Sequence, residues 1–331
     1  MIFVGFGFLM VFLKNSSWCS IGFNYLIACW AIQICVLFTG FWHNVMKFTE
    51  EHKEGEKPHE WEKIQLKYDM LFLADFGAGA VLISFGVILG KCSIFQLWVM
   101  TTIEVFFYCL NESVLIEVFK VFDIGGSMVI HTFGAFFGLS VTWFYQSKDA
   151  IKDVRGLGKS NYLSDLVSMV GTMFLFSFWP SFNAALGQGA SMHRAIINSY
   201  LSITSSVIAS IIVAKMTHGG KLNMEIILNA SLAGGVAIGS AADIVVMPFG
   251  AMLAGFVTGI VSSFGFAKLS GFLREKISLH DTCGVLNLHG IPGLIGGIVS
   301  AIVASRGEGN FGNQYSYIFT QGRTPSVQAG Y

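Results

Sequence analysis

Charged residues are scarce in this chain: only 12% of its 331 residues are Asp, Glu, Lys or Arg, against about 25% in an ordinary soluble domain. Hydrophobic residues make up 53%, and long apolar runs follow one another along the chain. The 38 glycines exceed the usual share of about 7%, which is typical of membrane helices that approach closely. The composition therefore excludes a soluble domain and predicts an integral protein of the lipid bilayer.

Motifs of catalysis and of metal binding are also missing. No glycine-rich phosphate loop or nucleophile motif occurs, and the formal net charge is zero. The cysteines fall singly, without metal-type spacing or a dense framework, at Cys19, Cys29, Cys35, Cys92, Cys109 and Cys283. We therefore expect no enzyme, no cofactor, no bound metal and no nucleic-acid partner.

Ten apolar runs resemble membrane helices. They lie near 1–13, 21–45, 68–90, 93–119, 124–145, 163–186, 195–215, 224–246, 249–271 and 284–304. This pattern predicts an all-α polytopic membrane protein. The first run is too short to cross a bilayer, and the chain turns polar after residue 304, so we expect both termini to be truncated.

The connections between spans carry the signal for orientation, because cytoplasmic loops are rich in Lys and Arg. Loops after odd-numbered spans hold 11 of these residues and the other loops hold nine, five of them in segment 46–67. We expect the odd loops in the cytoplasm, which places the Asn111-Glu-Ser glycosylation sequon outside. Segment 46–67 is unusually charged and predicts a solvated loop or a helix extension.

An Asp-x-x-Gly-x-x-x-x-His string occurs twice, each time before a long apolar helix. The copies are Asp123, Gly126, His131 and Asp281, Gly284, His289. We expect each Asp to cap its helix by accepting hydrogen bonds from backbone amides. Eight residues of helix rise about 12 Å, so an Asp at the surface puts its His near the middle of a hydrocarbon layer about 30 Å thick. The two imidazoles are therefore expected to meet at one depth.

Span parity predicts an inverted repeat. The chain crosses the membrane five times from 163 to 304, so the two repeated helices run in opposite directions. Such symmetry is typical of transporters whose working site lies at the repeat interface near the midplane. We divide the chain into a first five-helix repeat (1–145), an inter-repeat loop (146–162), a second five-helix repeat (163–304) and a polar tail (305–331).

A histidine in hydrocarbon needs a partner, and three arrangements meet that need. Each ring can be an isolated core residue satisfied locally, the two rings can ligate a metal, or the two can hydrogen-bond to each other. No third His, Cys or carboxylate lies at ligand spacing, so zinc or iron would have too few ligands. Matched positions in an inverted repeat favour a functional pair of His131 and His289.

Several long strings carry a resemblance to a known family. They include FVGFGFLM at 3–10, ADF at 74–76, GGSMVIHTFGAFFGL at 125–139, WPSFN at 179–183 and DTCGVLNLHGIPGLIGGI at 281–298. The strings resemble the Amt/Mep/Rh ammonium transporters, and within them the Rhesus glycoproteins. The resemblance implies that His131 and His289 line a narrow hydrophobic pore, that Phe76 and Phe182 close its outer mouth and that Asp123 is the acid near that mouth.

The resemblance also implies a homotrimer with one pore through each subunit. Full members have a further leading helix in the Rhesus branch and a long closing helix, and we expect both to be absent here. Segment 46–67 is longer and more charged than the family pattern.

The chemistry of the expected pore suits ammonia. Ammonium carries a charge that is expensive at the bilayer centre, whereas ammonia is neutral and can both donate and accept hydrogen bonds. A cation can rest against the negative ring faces of Phe76 and Phe182 before it loses its proton. We expect electroneutral passage of ammonia, with methylammonium as a further substrate, at the plasma membrane. Two alternatives stay open: a channel for CO2 or another small neutral gas, and a non-transporting Rh-type scaffold subunit.

Other polar residues within or near the spans give weaker signals. Glu112 and Asp243 are expected to line an outer vestibule that gathers ammonium, with a solvated helix end as the alternative. Asn183 is expected beside the pore, either lining it or bonding to a neighbouring helix break. Pro180 should kink or interrupt its helix. Two further acids inside spans receive no role, namely Asp75 and Glu104.

Overall fold

The computed structural model of the protein describes residues 2–13, 17–54, 61–146, 160–312, 318–319 and 322–331. Regular structure in this part of the chain is helical throughout and includes no strand. Nine of the described helices are long and apolar enough to cross a membrane. The predicted all-α polytopic fold is therefore confirmed.

The helices follow one another through short connections. In chain order they are α1 (Ile2–Phe12), α2 (Ser17–Glu54), α3 (Tyr68–Ile88), α4 (Ile94–Val118), α5 (Ser127–Tyr145), α6 (Tyr162–Asn183), α7 (Ala190–Thr217), α8 (Met224–Ala241), α9 (Pro248–Lys276), α10 (Leu286–Ser305), α11 (Gly307–Phe311) and α12 (Pro325–Ala329). Helices α2 to α10 are the candidate spans, and α1 is too short to be one, as predicted for the first apolar run. Large apolar side chains such as Phe144 and Phe249 remain exposed on the outside of the bundle, where lipid would cover them.

Capping residues explain where several spans begin. Ser93 accepts a hydrogen bond from the amide of Gln96, and the Gln96 side chain accepts one from the amide of Ser93. Asn161 and Ser164 form the same reciprocal pair before α6. Asn223 caps α8 from its side chain. Each cap satisfies an amide that the first helical turn leaves without a partner.

The sequence-based picture needs correction at two helices. Helix α6 continues through Pro180 and ends three residues later, at Asn183, so the proline does not interrupt it; a kink at this residue stays a prediction. The span predicted at 224–246 is broken internally: α8 consists of Met224–Ala230, Ala233–Ile238 and a 3₁₀ turn. Segment 46–67 begins as an extension of α2 to Glu54, and residues 55–60 lie outside the described part.

The structure adds detail at the glycosylation sequon and at the polar tail. Asn111 lies inside α4, and its side-chain nitrogen is buried, so a glycosyltransferase has no access to it in this fold. The polar tail contains the short helices α11 and α12. Arg323 donates a hydrogen bond of 2.7 Å to the carbonyl oxygen of Phe119. The described end of the tail is thus docked on the turn before α5.

The backbone repeats itself at the two Asp-x-x-Gly-x-x-x-x-His strings. Gly126 and Gly284 both adopt left-handed conformations, with φ of 71° and 66°. Lys120 and Ser278, which precede them by six residues, also match, with φ of 54° and 56°. Each string continues into a π-helical turn that carries the histidine. Helix α10, which carries the second histidine, is the fifth span after α5, so the parity for an inverted repeat holds. The exact repeat boundaries stay a prediction, and most of the 146–162 loop lies outside the described residues.

Small residues bring the helices into backbone contact. A Cβ atom on Gly255 of α9 would lie 2.0 Å from the carbonyl oxygen of Ser202 on α7. One turn along, a Cβ on Gly259 would lie 2.8 Å from the hydroxyl of Ser206. Membrane helices associate through such close packing, because lipid offers no hydrophobic drive between them.

We predict that Gly255→Ala destabilises the protein, because the added methyl group forces α7 and α9 apart. Overpacking of this kind costs about 1–3 kcal/mol. Thermal unfolding in detergent measures the effect. Gly271→Ala is the matched control, since a Cβ there meets nothing within 4 Å; equal midpoints for the two variants would contradict the close α7–α9 contact.

Candidate functional site

The two repeat histidines form a buried pair. Their Nδ1 atoms lie 3.0 Å apart, and their rings are nearly parallel, with centroids separated by 5.1 Å. His131 and His289 are 1% and 2% exposed. One Nδ1 must carry a hydrogen and the other a lone pair, so two neutral rings are opposite tautomers. Their Nε2 atoms then differ as well: one is an acceptor and the other a donor.

Aromatic rings enclose the histidines. The Trp179 ring stacks on His131 with a centroid distance of 5.6 Å, and Phe6 stacks on His289 at 6.0 Å. The Nε2 atom of His131 is buried and has no hydrogen-bond partner in the described part of the protein. This nitrogen therefore keeps an unused hydrogen-bonding capacity. Phe6 and Trp179 were not predicted as site residues, although both fall inside the strings that carry the family resemblance.

Two phenylalanines lie next to the histidine pair. The Phe76 and Phe182 rings meet edge to face with centroids 4.9 Å apart. Phe182 also lies 5.9 Å from His131. The two rings predicted to close a pore mouth are thus in contact with each other and directly beside the histidine pair.

A large cavity opens on the other side of Phe76. Its volume is about 1190 Å³, and both acids predicted for a vestibule, Glu112 and Asp243, line its wall. Six carboxylic acids and three lysines share this wall, so acids outnumber bases. The acids are Glu62, Asp69, Glu112, Glu117, Asp123 and Asp243. Opposite charge and a low-dielectric surround would concentrate cations there.

Asp243 is a buried carboxyl in the cavity wall. The hydroxyl of Ser191 donates a hydrogen bond of 2.7 Å to its Oδ2, and Arg194 holds its backbone carbonyl at 2.7 Å. Burial raises the pKa of Asp243, while the hydrogen bond from Ser191 and the charge of Arg194 oppose that rise. The predicted alternative of a solvated helix end does not fit this environment.

Asp123 stabilises the turn before α5. Its Oδ2 accepts hydrogen bonds from the amides of Met128 and Val129 at 2.9 and 2.8 Å. Its Oδ1 accepts one from the hydroxyl of Ser240 at 2.5 Å. Burial raises the pKa of Asp123, and these donors oppose the rise. The contacts are those of a helix cap, and they leave Asp123 at the cavity wall with both oxygens engaged.

Asp281 repeats this arrangement before α10. Its Oδ2 accepts a hydrogen bond of 2.8 Å from the amide of Leu286. Burial raises the pKa of Asp281, whereas hydrogen bonds from three backbone amides and the charge of the nearby Lys91 lower it. Lys91 donates hydrogen bonds to the carbonyls of Val87 and His280, and burial lowers its pKa to about 8. Lys91 thereby ties the end of α3 to the second repeat turn.

Asn183 holds helices together. Its side-chain nitrogen donates hydrogen bonds to the hydroxyl of Ser199 at 2.8 Å and to the carbonyl of Gly235 at 3.0 Å. Gly235 lies just after the break in α8. These contacts match the predicted bond to a neighbouring helix break rather than a position in the pore lining.

The space beyond the histidines is narrow and mainly apolar. A cavity of about 20 Å³ lies against His289 and is lined by Phe6, Ile83 and Leu288, among others. The histidine pair thus separates a wide acidic cavity from a small apolar lumen. Among the described residues, no group of three His, Cys, Asp or Glu side chains is placed to hold a metal ion.

Comparison with known proteins finds relatives that match nearly the whole length of this chain. The model of the Ammonium Transporter Family matches residues 1–329. Ammonium transporter Rh type C from Xenopus tropicalis is 44% identical over 100% of this chain and 70% of its own length. The human protein of the same name is 45% identical over 92% of this chain and 61% of its own length.

Two solved structures share the fold of this chain. The Rh50 channel of Nitrosomonas europaea is 31% identical and superposes with a TM-score of 0.78, covering 99% of this chain and 83% of its own. Saccharomyces cerevisiae Mep2, at 18% identity and a TM-score of 0.72 over 99% of this chain and 78% of its own, shares the fold.

We predict that Asp123→Ala destabilises the protein by about 1–2 kcal/mol, the usual cost of losing a helix cap. The change removes the acceptor for two amides and a hydroxyl. Thermal unfolding in detergent measures it. Asp123→Asn keeps one acceptor oxygen and should be milder; an alanine variant as stable as the wild type would show that the turn does not depend on this carboxyl.

Proposed function

Since the chain belongs to the ammonium transporter family, in its Rhesus branch, we propose that it conducts neutral ammonia through a pore gated by Phe76 and Phe182 and centred on His131 and His289. One observation carries the proposal. The hydrogen-bonded histidine pair lies between an acidic outer cavity and a narrow apolar lumen. In this order, an ammonium ion first meets acids that attract it and then an apolar passage that only its neutral form can enter.

The first step is capture of ammonium in the outer cavity. Glu112 and Asp243 lie on its wall among other acids. A cation gains electrostatic energy in such a cavity and reaches a higher local concentration than in bulk water. Carboxylates therefore recruit the ionised form, which is the abundant form of ammonia near neutral pH.

The second step is loss of the proton at the aromatic gate. The negative faces of Phe76 and Phe182 attract a cation as its water is stripped away. Beyond the gate, the described residues that line the small cavity include no carboxylate to compensate a cation, and an uncompensated charge in an apolar site is expensive. Ammonia pays no such penalty, so the neutral species passes the gate. The proton stays behind in the outer cavity, where water or a carboxylate of the wall accepts it.

The third step is transfer along the histidine pair. One Nε2 accepts and the other donates a hydrogen bond, because the shared Nδ1 contact imposes opposite tautomers. Ammonia is able to complement both. Burial and repulsion between the two rings disfavour the state in which both imidazoles are positively charged. The pair therefore stays suited to a neutral guest.

We extend the proposal to assembly and location. The family resemblance implies a homotrimer with one pore per subunit, which we expect at the plasma membrane. The Lys and Arg counts of the loops favour odd-numbered loops in the cytoplasm. Large apolar side chains exposed on the bundle are compatible with lipid and with neighbouring subunits.

We predict that His131→Ala and His289→Ala each impair uptake of ammonia into proteoliposomes. Each change leaves the partner imidazole without its hydrogen bond, at a cost of about 1–3 kcal/mol. His193→Ala is the matched control, because His193 is an exposed histidine outside the pair. Wild-type flux in both alanine variants, at equal protein, would contradict the pore assignment; CO2 flux measured on the same vesicles tests the neutral-gas alternative.

We also predict that transport carries no net charge. If ammonia alone passes the gate, uptake alkalinises the interior and gives no current. Solid-supported-membrane electrophysiology with parallel pH recording measures both quantities. A saturable ammonium current that tracks the flux would refute electroneutral passage and require a separate path for the proton.

A further inference from the structure

A second buried polar cluster lies in the membrane interior, away from the histidine pair. It is formed by Glu104 on α4, Ser84 on α3 and the backbone carbonyl of Gly134 on α5. Glu104 and Ser84 are each 0% exposed. The proposed transport path does not use either side chain.

Ser84 lies where α3 and α5 touch. A Cβ on Gly134 would lie 2.6 Å from the carbonyl oxygen of Ala80, and one on Gly138 would lie 2.8 Å from the Cα of Ser84. The two helices therefore meet backbone to backbone on either side of the Ser84 hydroxyl. Gly134 follows His131 by three residues, so this crossing supports the helix that carries the first histidine of the pair.

The number of hydrogens available between Ser84, Glu104 and Gly134 assigns the protonation state of the Glu104 carboxyl group. The hydroxyl oxygen of Ser84 makes two close contacts, one of 2.8 Å with the carbonyl oxygen of Gly134 and one with Oε1 of Glu104. The carbonyl oxygen of Ala80 lies farther away, at 3.3 Å. A hydroxyl has one hydrogen, and a carbonyl only accepts. If Ser84 donates to Gly134, the hydrogen between Ser84 and Glu104 must come from the carboxyl group. An ionised Glu104 would leave one of the two contacts as an unfavourable pair of acceptors.

The surroundings of Glu104 agree with a neutral carboxyl. Its Oε2 is buried without a hydrogen-bond partner in the described part of the protein. None of the ion pairs formed by the described residues includes Glu104. A buried carboxylate with neither a cation nor a full set of donors is costly, and such groups usually bind a proton instead. An unpartnered carbonyl oxygen of an acid costs far less.

We propose that Glu104 is a proton-holding positioning residue: as a neutral acid it donates to Ser84, which donates to Gly134. This chain of two hydrogen bonds ties α4 through α3 to the helix that carries His131. Its link to flux rests on the proposed function, whereas the protonated state of Glu104 does not.

Infrared difference spectroscopy in liposomes at neutral pH tests the protonated state. The wild-type protein minus Glu104→Gln should show the C=O stretching band of a carboxylic acid. Ser84→Ala should keep this band but move it to higher frequency, because the acid loses its acceptor. Glu62→Gln is the control, since Glu62 lies in the charged cavity wall and forms an ion pair with Lys47 at 3.0 Å; its difference spectrum should lack the acid band.

Stability and flux test the positioning role. Glu104→Gln should keep the unfolding midpoint and the flux, because a neutral amide also donates to Ser84. Glu104→Ala should lower the midpoint and reduce the flux several-fold. Absence of the acid band, or a glutamine variant as impaired as the alanine variant, would overturn the proposal. An intact band in a wild-type protein that carries no ammonia would count against the proposed transport and leave the assignment of Glu104 standing.

Discussion

The hydrogen bond between His131 and His289 is the interaction around which the site is organised. Two imidazoles inside an apolar bundle have no water to satisfy them, so each must find a protein partner. Their shared Nδ1 contact of 3.0 Å meets that need and also fixes opposite tautomers. Trp179 stacks on His131 and Phe6 stacks on His289, and this packing helps to hold the two imidazole rings nearly parallel.

The pair can form only if the two repeat turns deliver the histidines to the same depth. Gly126 and Gly284 make this possible, because both adopt a left-handed backbone that lets the chain reverse into its helix. Asp123 and Asp281 then satisfy the amides at the start of each helix. The symmetry of the two turns thus becomes the symmetry of the histidine pair, with one histidine supplied from each turn.

Close packing carries this geometry through the rest of the bundle. Helix α5 lies against α3 at Gly134 and Gly138, and α9 lies against α7 at Gly255, with separations that no larger residue permits. Polar side chains buried at such crossings bond to backbone carbonyls or to one another, as Ser84 and Asn183 do. These bonds keep the apolar helices from sliding, because a shift would strand a polar group in hydrocarbon.

Much of this protein follows from its sequence. Apolar runs predict the spans because helices must satisfy their backbone internally in lipid, and the repeated string predicts two opposed histidines because parity is a property of span order. Only the tertiary structure decided other features. Helix α6 continues through Pro180 to Asn183, Asn183 bonds to Gly235 across the bundle, and Trp179 stacks on His131. The state of Glu104 likewise depends on Ser84 and Gly134, residues 20 and 30 positions away in the chain, because contacts between helices are absent from any local pattern.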